Sequence, residues 1–192
     1  MQSDRKIVID LGCNDRTLLG YDRVIRVDLN KTAPDIVISD FNNSSLPFPD
    51  NYADEIHCYH VLEHLQSPAK FLKEICRVAK PNADVFVAVP HYSAPVAYGD
   101  PSHLHQFSLL YFYYFGEKFK YEDCFRVKGH KFTILPTTLI RYADQPIPSL
   151  FKRFLAYWLQ LIPNLLPPLI GDRLGGLFGG YHEMLVKMST KK

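Results

Sequence analysis

Apolar residues fall along this chain in short β-branched runs separated by polar turns, the pattern of strands buried on both faces. Lys6-Ile7-Val8-Ile9-Asp10-Leu11 is such a run and ends at a glycine. Val24-Ile25-Arg26-Val27-Asp28-Leu29 predicts a second strand, Ile36-Val37-Ile38 a third and Glu55-Ile56-His57-Cys58-Tyr59 a fourth. The period then lengthens to that of a helix. Phe71, Leu72, Ile75, Cys76, Val78 and Ala79 share one face, with Ser67 placed to cap the helix, Pro68 in its first turn and Lys80-Pro81-Asn82 to stop it. Val85-Phe86-Val87-Ala88-Val89 is a further buried strand, ending at Pro90.

Strand, turn, strand, helix, strand predicts an α/β fold with a doubly wound, mostly parallel, seven-stranded-type sheet. Only about eleven residues lie between Gly12 and Val24, close to the minimum for a parallel crossover. The first crossover helix is therefore expected to be shortened or missing. Past Pro90 the chain becomes aromatic, and Tyr111-Phe112-Tyr113-Tyr114-Phe115 predicts a helix packed on the sheet. Residues 125–135 and 183–188 are expected to form an antiparallel, hairpin-like pair of strands at the sheet edge. An apolar, proline-broken insertion at about 146–180 lies between them. No linker divides the chain, so residues 1–192 read as a single domain.

Composition narrows this picture without redirecting it. The 192 residues are 47% hydrophobic and 22% charged, as in a globular protein with a sizeable core. A net charge of +2 gives no support to a nucleic-acid partner. Cys13, Cys58, Cys76 and Cys124 have neither metal-ligand nor disulfide-framework spacing, which predicts reduced thiols in a cytoplasmic protein. The first six residues carry no secretory-signal pattern. Residues 154–171 are free of formal charge and about long enough to span a bilayer, but Pro163, Pro167 and Pro168 break them. That stretch reads as a lid, a buried pair of short helices or an interfacial segment. Lys152 and Arg153 at its start make peripheral membrane contact through 149–170 one of the open readings, beside core packing and a dimer surface.

A strand ending in Asp10-Leu11-Gly12 puts backbone N–H groups at the carboxyl edge of the sheet, where ligands of such folds bind. Gly12 would let the backbone approach a ligand closely. Asp28, at the end of the second strand, stands where a carboxylate can accept both ribose hydroxyls. The choice among adenosine cofactors follows from the loop. Gly12-Cys13-Asn14-Asp15-Arg16-Thr17 has one glycine and an acid, a poor cradle for a pyrophosphate. S-adenosylmethionine carries no phosphate, so this loop can serve it.

These residues resemble a known family over roughly residues 7–90. Ile9-Asp10-Leu11-Gly12-Cys13, Arg26-Val27-Asp28-Leu29, Leu46-Pro47-Phe48-Pro49-Asp50, His60-Val61-Leu62-Glu63-His64-Leu65 and Leu72-Lys73-Glu74-Ile75-Cys76-Arg77-Val78-Ala79-Lys80-Pro81 are similar, in order and spacing, to successive motifs of the class I S-adenosylmethionine-dependent methyltransferases of the methyltransferase type 11 domain family. The resemblance implies that Asp10, Gly12 and Asn14 line the methionine end of the cofactor and that Asp28, with Leu29, holds the ribose. It also implies that Asp40 and Phe41 meet the adenine and that Tyr59 and His60 face the sulfonium and the acceptor. Each has a plainer alternative: a strand-end turn acid at Asp28, a loop acid and a core aromatic at Asp40 and Phe41, a turn residue at Asn14. The family's second glycine is Asn14 here. With the first helix short, Arg16 is expected either to meet the cofactor carboxylate by charge or to be a solvated surface residue.

Two histidine-bearing stretches complete the inventory. His60-Val61-Leu62-Glu63-His64 matches an inverted zinc-protease string, yet His60 sits at a strand exit and not within a long helix. The string already belongs to the methyltransferase pattern, so no metal is expected. His103 and His105, in the loop after the fifth strand, are candidates for a general base toward an O or N acceptor; the alternative is that they hold the loop backbone. His91 and His182 are weaker candidates, and His57 and His130 read as structural. The expected activity is methyl transfer from S-adenosylmethionine, giving S-adenosylhomocysteine, to an O, N or C nucleophile on a small or lipid-linked acceptor. The rivals are a non-catalytic cofactor-binding protein of the same fold and an RNA methyltransferase.

Overall fold

A computed structural model describes residues 6–43, 45–116, 131–141 and 182–191. Its strands are β1 (Val8–Leu11), β2 (Val24–Asp28), β3 (Val37–Ile38), β4 (Ala53–Tyr59), β5 (Ala79–Pro90), β6 (Lys131–Arg141) and β7 (Glu183–Lys191). They form one seven-stranded sheet in the order β3-β2-β1-β4-β5-β7-β6. The five strands from β3 to β5 are parallel, and β7 runs antiparallel to both β5 and β6. From β1 the chain steps outward through β2 and β3, then returns to lay β4 on the other side of β1. That reversal makes a switch-point crevice above the carboxyl ends of β1 and β4.

The residues between β1 and β2 contain no helix, so the expected shortening of the first crossover is complete. Among the described residues the one long helix is α1 (Pro68–Val78), with α2 (Val96–Gly99) and α3 (Leu109–Tyr113) as single turns. Helix α1 buries Phe71, Leu72, Ile75, Cys76 and Val78 against Ile9, Leu11, Ile56, Cys58, Val85 and Val87. These strand positions alternate, so they lie on one face of the sheet.

Two expectations need correction. Ser67 occupies the N-cap position of α1, but its hydroxyl makes no cap bond; its carbonyl takes the Phe71 N–H at 3.2 Å. Helix α1 stops just before Lys80-Pro81-Asn82, as expected, and the chain turns extended at Ala79 and enters β5 at once. The three residues sit where the β4–β5 register slips, with Asn82 at φ +63°, a bulge that tolerates a strand proline. The aromatic helix spans only five residues and starts two earlier than Tyr111. As expected, the last two strands form an antiparallel pair at the sheet edge, β7 with Met184, Val186, Met188 and Thr190 buried on alternate positions and β6 outermost. The predicted strand residues 125–130 and the 146–180 insertion lie outside the described residues. Among the described residues no helix is long and apolar enough to cross a membrane.

The turn after β1 fixes the crevice floor. Gly12 has φ +69°, and a Cβ there would stand 2.2 Å from Val61 Cγ2. Its missing side chain makes room for Val61, just past the end of β4. Gly12→Ala should cost about 2–4 kcal/mol, combining left-handed strain with overpacking. Urea unfolding measures this, and the double variant Gly12→Ala/Val61→Ala should recover part of the loss. Equal stability of Gly12→Ala and the parent chain would contradict it.

Candidate active site

Strand β1 carries Asp10 to the sheet centre with no exposed surface. A buried carboxylate needs a partner, and the helix-free loop supplies one. The Arg16 N–H bonds to the Cys13 carbonyl at 2.8 Å, folding the loop back so that the guanidinium grips both oxygens of Asp10 through Nη2 and Nε. The same guanidinium lies 4.7 Å from the ring centre of Tyr59. Burial pushes the Asp10 carboxyl up from its ordinary range, and the Arg16 bonds only partly offset that. Arg16 is therefore neither a solvated residue nor a free cation: its charge is shared with Asp10.

Beside Asp10, Glu55, His57 and Tyr59 alternate along β4 and so face the same side, with His57 in register opposite Asp10. Glu55 accepts hydrogen bonds from Lys6 and Tyr21, and His57 Nε2 lies 2.6 Å from its Oε1. His57 Nδ1 lies 2.7 Å from the Tyr59 hydroxyl, and its ring stacks on Phe86 at 4.9 Å. Burial lowers the His57 pKa and keeps the ring neutral. Burial alone would raise Glu55, but the bonds from Lys6, Tyr21 and His57 outweigh it and the carboxyl ends below its ordinary range. Burial pushes Tyr59 up to about 12, so its phenol stays protonated. His57 is structural, as expected, and this row holds Tyr59 in place.

Above the row opens a crevice of about 260 Å³, lined by Arg16, Tyr59, His60, Ala88, Glu183 and Leu185. His60 leaves β4 at φ +56°, its N–H on the Ala88 carbonyl at 2.9 Å. That turn sets its ring between two acids, with Nδ1 3.3 Å from Glu63 and Nε2 3.7 Å from Glu183. The Glu63 bond raises the His60 pKa. Sequence reasoning missed Glu183. It reaches the crevice because β7 is antiparallel and pairs Glu183 with Pro90, which brings the start of the last strand to the carboxyl edge of the others.

The remaining predicted residues lie around this centre. Asn14 takes φ +46°; its N–H bonds to Asp28 Oδ2 at 2.8 Å, and its carbonyl accepts from Arg26 and Thr32. Asn30 donates to Asp28 Oδ1 at 3.0 Å, and each oxygen keeps a lone pair for a ligand hydroxyl. Leu29 is exposed beside it. Asp40 accepts from the Asn42 backbone and the Asn43 side chain, which hold its carboxyl below the ordinary range. Phe41 packs on Phe71 at 4.8 Å and lines a separate cavity of about 520 Å³ alongside α1. Thus Asp10, Tyr59 and His60 converge, Asn14 and Asp28 are bonded together on the β2 side, and Asp40 with Phe41 stands toward α1. His103 lies with its ring 4.8 Å from His64, and His105 has its ring 6.3 Å from Phe107.

A family model for the methyltransferase domain matches residues 10–87, the segment from β1 to β5 that builds this crevice. That segment, less than half of the chain, is similar to the methyltransferase domain family. Two Mycobacterium tuberculosis proteins, each named a probable S-adenosylmethionine-dependent methyltransferase, are 29% identical to this chain over 44% of its length. The match spans 35% of their length. Among solved structures, a Haloferax volcanii putative methyltransferase, in complex with the Trm112 methyltransferase activator, superposes with a TM-score of 0.59 at 17% identity. That likeness covers 100% of this chain and 86% of the other. A SAM-dependent methyltransferase from Archaeoglobus fulgidus gives 0.57 at 17% identity, over 97% and 86%. Both likenesses establish the shared α/β fold.

The lowered pKa of His57 has a direct consequence for stability. Below its unfolded value of about 6.5 the unfolded chain takes up the proton before the folded one does, so stability is lost as pH falls through the folded pKa. His57→Phe retains a ring against Phe86 and removes the titration. Urea unfolding between pH 6.5 and 5 should show a shallower loss of stability for this variant than for the parent; parallel slopes would exclude the buried, neutral imidazole.

Proposed function

We propose that the domain binds S-adenosylmethionine across the carboxyl ends of β1, β2 and β4 and directs its methyl group to an O, N or C nucleophile on a small or lipid-linked acceptor. The observation that carries this reading is the Asp10–Arg16 pair beside Tyr59 in the crevice of the family-matched segment. An amino-acid ligand end is a zwitterion. A carboxylate and a guanidinium side by side offer it complementary charges, and they neutralise each other when it is absent. The loop has no glycine-rich phosphate cradle, so the same crevice suits a nucleoside with an amino-acid tail better than a dinucleotide.

When bound, S-adenosylmethionine supplies a sulfonium whose methyl carbon accepts the electron pair of a nucleophile as the sulfur–methyl bond breaks. The chain's part is to hold and align. Asp28 would accept the ribose hydroxyls, with Leu29 beside them, while Asp40 and Phe41 bound the adenine and Asn14 fixes the loop through Asp28. Tyr59 and His60 border the acceptor side. His60, made more basic by Glu63, is placed to take a proton from a hydroxyl or amine acceptor, with His103 and His105 in the loop behind it. Most of the acceleration would come from alignment of donor and acceptor.

Titration calorimetry with S-adenosylmethionine and S-adenosylhomocysteine tests the binding step. Both should bind, and Asp28→Ala should weaken binding at least about tenfold, the loss of roughly 1.4 kcal/mol of charged hydrogen bonding. No heat with either ligand would overturn the reading. A binding protein without turnover is the second reading, supported by Arg16 lying over Tyr59; transfer of a labelled methyl group into a small-molecule or lipid extract would refute it. The uncharged 154–171 stretch after Lys152 and Arg153 supports a lipid-linked acceptor. Sedimentation with anionic vesicles should then bring the protein down, and a protein left in the supernatant would remove the membrane-contact part.

A further inference from the structure

Behind His60 the structure gathers a second polar cluster that methyl transfer does not account for. Glu63 and His64 sit on a 3-10 turn, Leu62–His64, between β4 and α1. The loop after β5 is tied to that turn by the Leu104 N–H on the Glu63 carbonyl at 2.7 Å, which delivers His103 to the same spot. One ligand-type atom from each of Glu63, His64 and His103 falls within 4.8 Å of the others. The Glu63 side chain is 1% exposed and that of His103 5%.

Neither buried group is satisfied. Glu63 Oε1 faces His60, but Oε2 has no hydrogen-bond partner, and neither has His103 Nδ1. A buried carboxylate oxygen and a buried imidazole nitrogen left this way are costly, typically about 1–3 kcal/mol each. Their surroundings also favour holding a ligand. Asp100 Oδ2 stands 3.7 Å from His103 Nε2, the far side of the ring from Nδ1. His64 Nδ1 lies 3.2 Å from both the carbonyl and the hydroxyl oxygen of Ser102. Carboxylates and carbonyls in these places orient imidazole ligands of metals.

We propose that Glu63, His64 and His103 bind one divalent first-row transition cation, with further coordination positions left open. Two imidazoles and one carboxylate are a donor set that suits Zn2+ and its neighbours, and three protein ligands leave room for water or an acceptor atom. Bonds of about 2 Å allow at most about 4 Å between ligand atoms, so binding closes the cluster slightly. The exposed position of His64 gives the turn freedom to do so. The ligands differ from those of the zinc-protease reading of the same string, because His60 faces the crevice and His103 takes its place. If the methyl-transfer reading holds, an open coordination position next to His60 could receive an acceptor oxygen; that role rests on the reading, whereas the cation site does not.

Untagged protein, stripped with a chelator and dialysed, is titrated with Co2+ and with Zn2+. The expected result is one ion per chain, with visible Co2+ absorption bands displaced by Zn2+. His64→Ala should weaken uptake at least tenfold, as should Glu63→Gln and His103→Ala, with His64→Ala the decisive variant because an exposed side chain can be removed without unfolding the domain. Less than half an equivalent bound at tens of micromolar free metal, or uptake unchanged in folded His64→Ala, would overturn the proposal. Calorimetry with S-adenosylmethionine on the same stripped protein keeps the two readings apart, since loss of metal uptake with cofactor binding intact rejects the cation site alone.

Discussion

The buried row of ionisable side chains on β1 and β4 is the constraint on which the rest of this structure depends. In a parallel sheet both faces are ordinarily covered by crossover helices, and here the connection from β1 to β2 is too short to make one. Asp10, Glu55 and His57 nevertheless occupy that face with at most 5% exposure. Ionisable groups so placed must be paired or neutral. Arg16, Tyr21 and Lys6 come in from the chain segments that flank and replace the helix, and His57 stays uncharged between Glu55 and Tyr59. The loop's path follows from this pairing. Arg16 has to reach Asp10, so the loop folds over the strand ends, and the wall of the crevice forms as it does.

What the sequence disclosed follows from where its signals are local. The strands through β5 and helix α1 were legible because each carries its own period, and the missing helix was legible as a simple count of residues. The residues that depend on tertiary neighbours were not. Gly12 looks like a ligand-approach glycine, and only the fold shows that its missing side chain also makes room for Val61. The pairing of Arg16 with Asp10 was not legible because nothing in the loop shows that Asp10 is wholly buried. Glu183 could have been placed only by knowing that β7 enters between β5 and β6 in the opposite direction. Ser67 has the residue type and position of a helix cap without the bond, a reminder that type and position permit a cap and do not form it.

The string His60-Val61-Leu62-Glu63-His64 shows how backbone conformation decides chemistry. On a continuous helix the first and last residues of such a string would share a face. Here His60 takes φ +56° and breaks the run, turning toward the crevice, while Glu63 and His64 remain on a tight turn. The third partner, His103, comes from forty residues downstream (roughly), carried in by a backbone bond to the same turn. Spacing along the chain alone therefore does not show which of these side chains end up together.

Glu63 then becomes the residue common to both halves of the edge. Its Oε1 faces His60 at the crevice, its Oε2 has no hydrogen-bond partner, and the carboxylate belongs to the cluster with His64 and His103. A carboxylate shared in this way cannot respond to one side alone. Any positive charge drawn to Oε2 withdraws electron density from the His60 contact and weakens the effect that makes His60 more basic; any change in His60 protonation alters what Glu63 offers on its other side. By thermodynamic reciprocity the two influences are equal in free energy. The burial of Glu63 strengthens them, because so little solvent stands nearby to screen the charges. The carboxyl edge of this sheet thus joins two sites through a single side chain, and the acid that tunes the histidine at the crevice is itself tuned from behind.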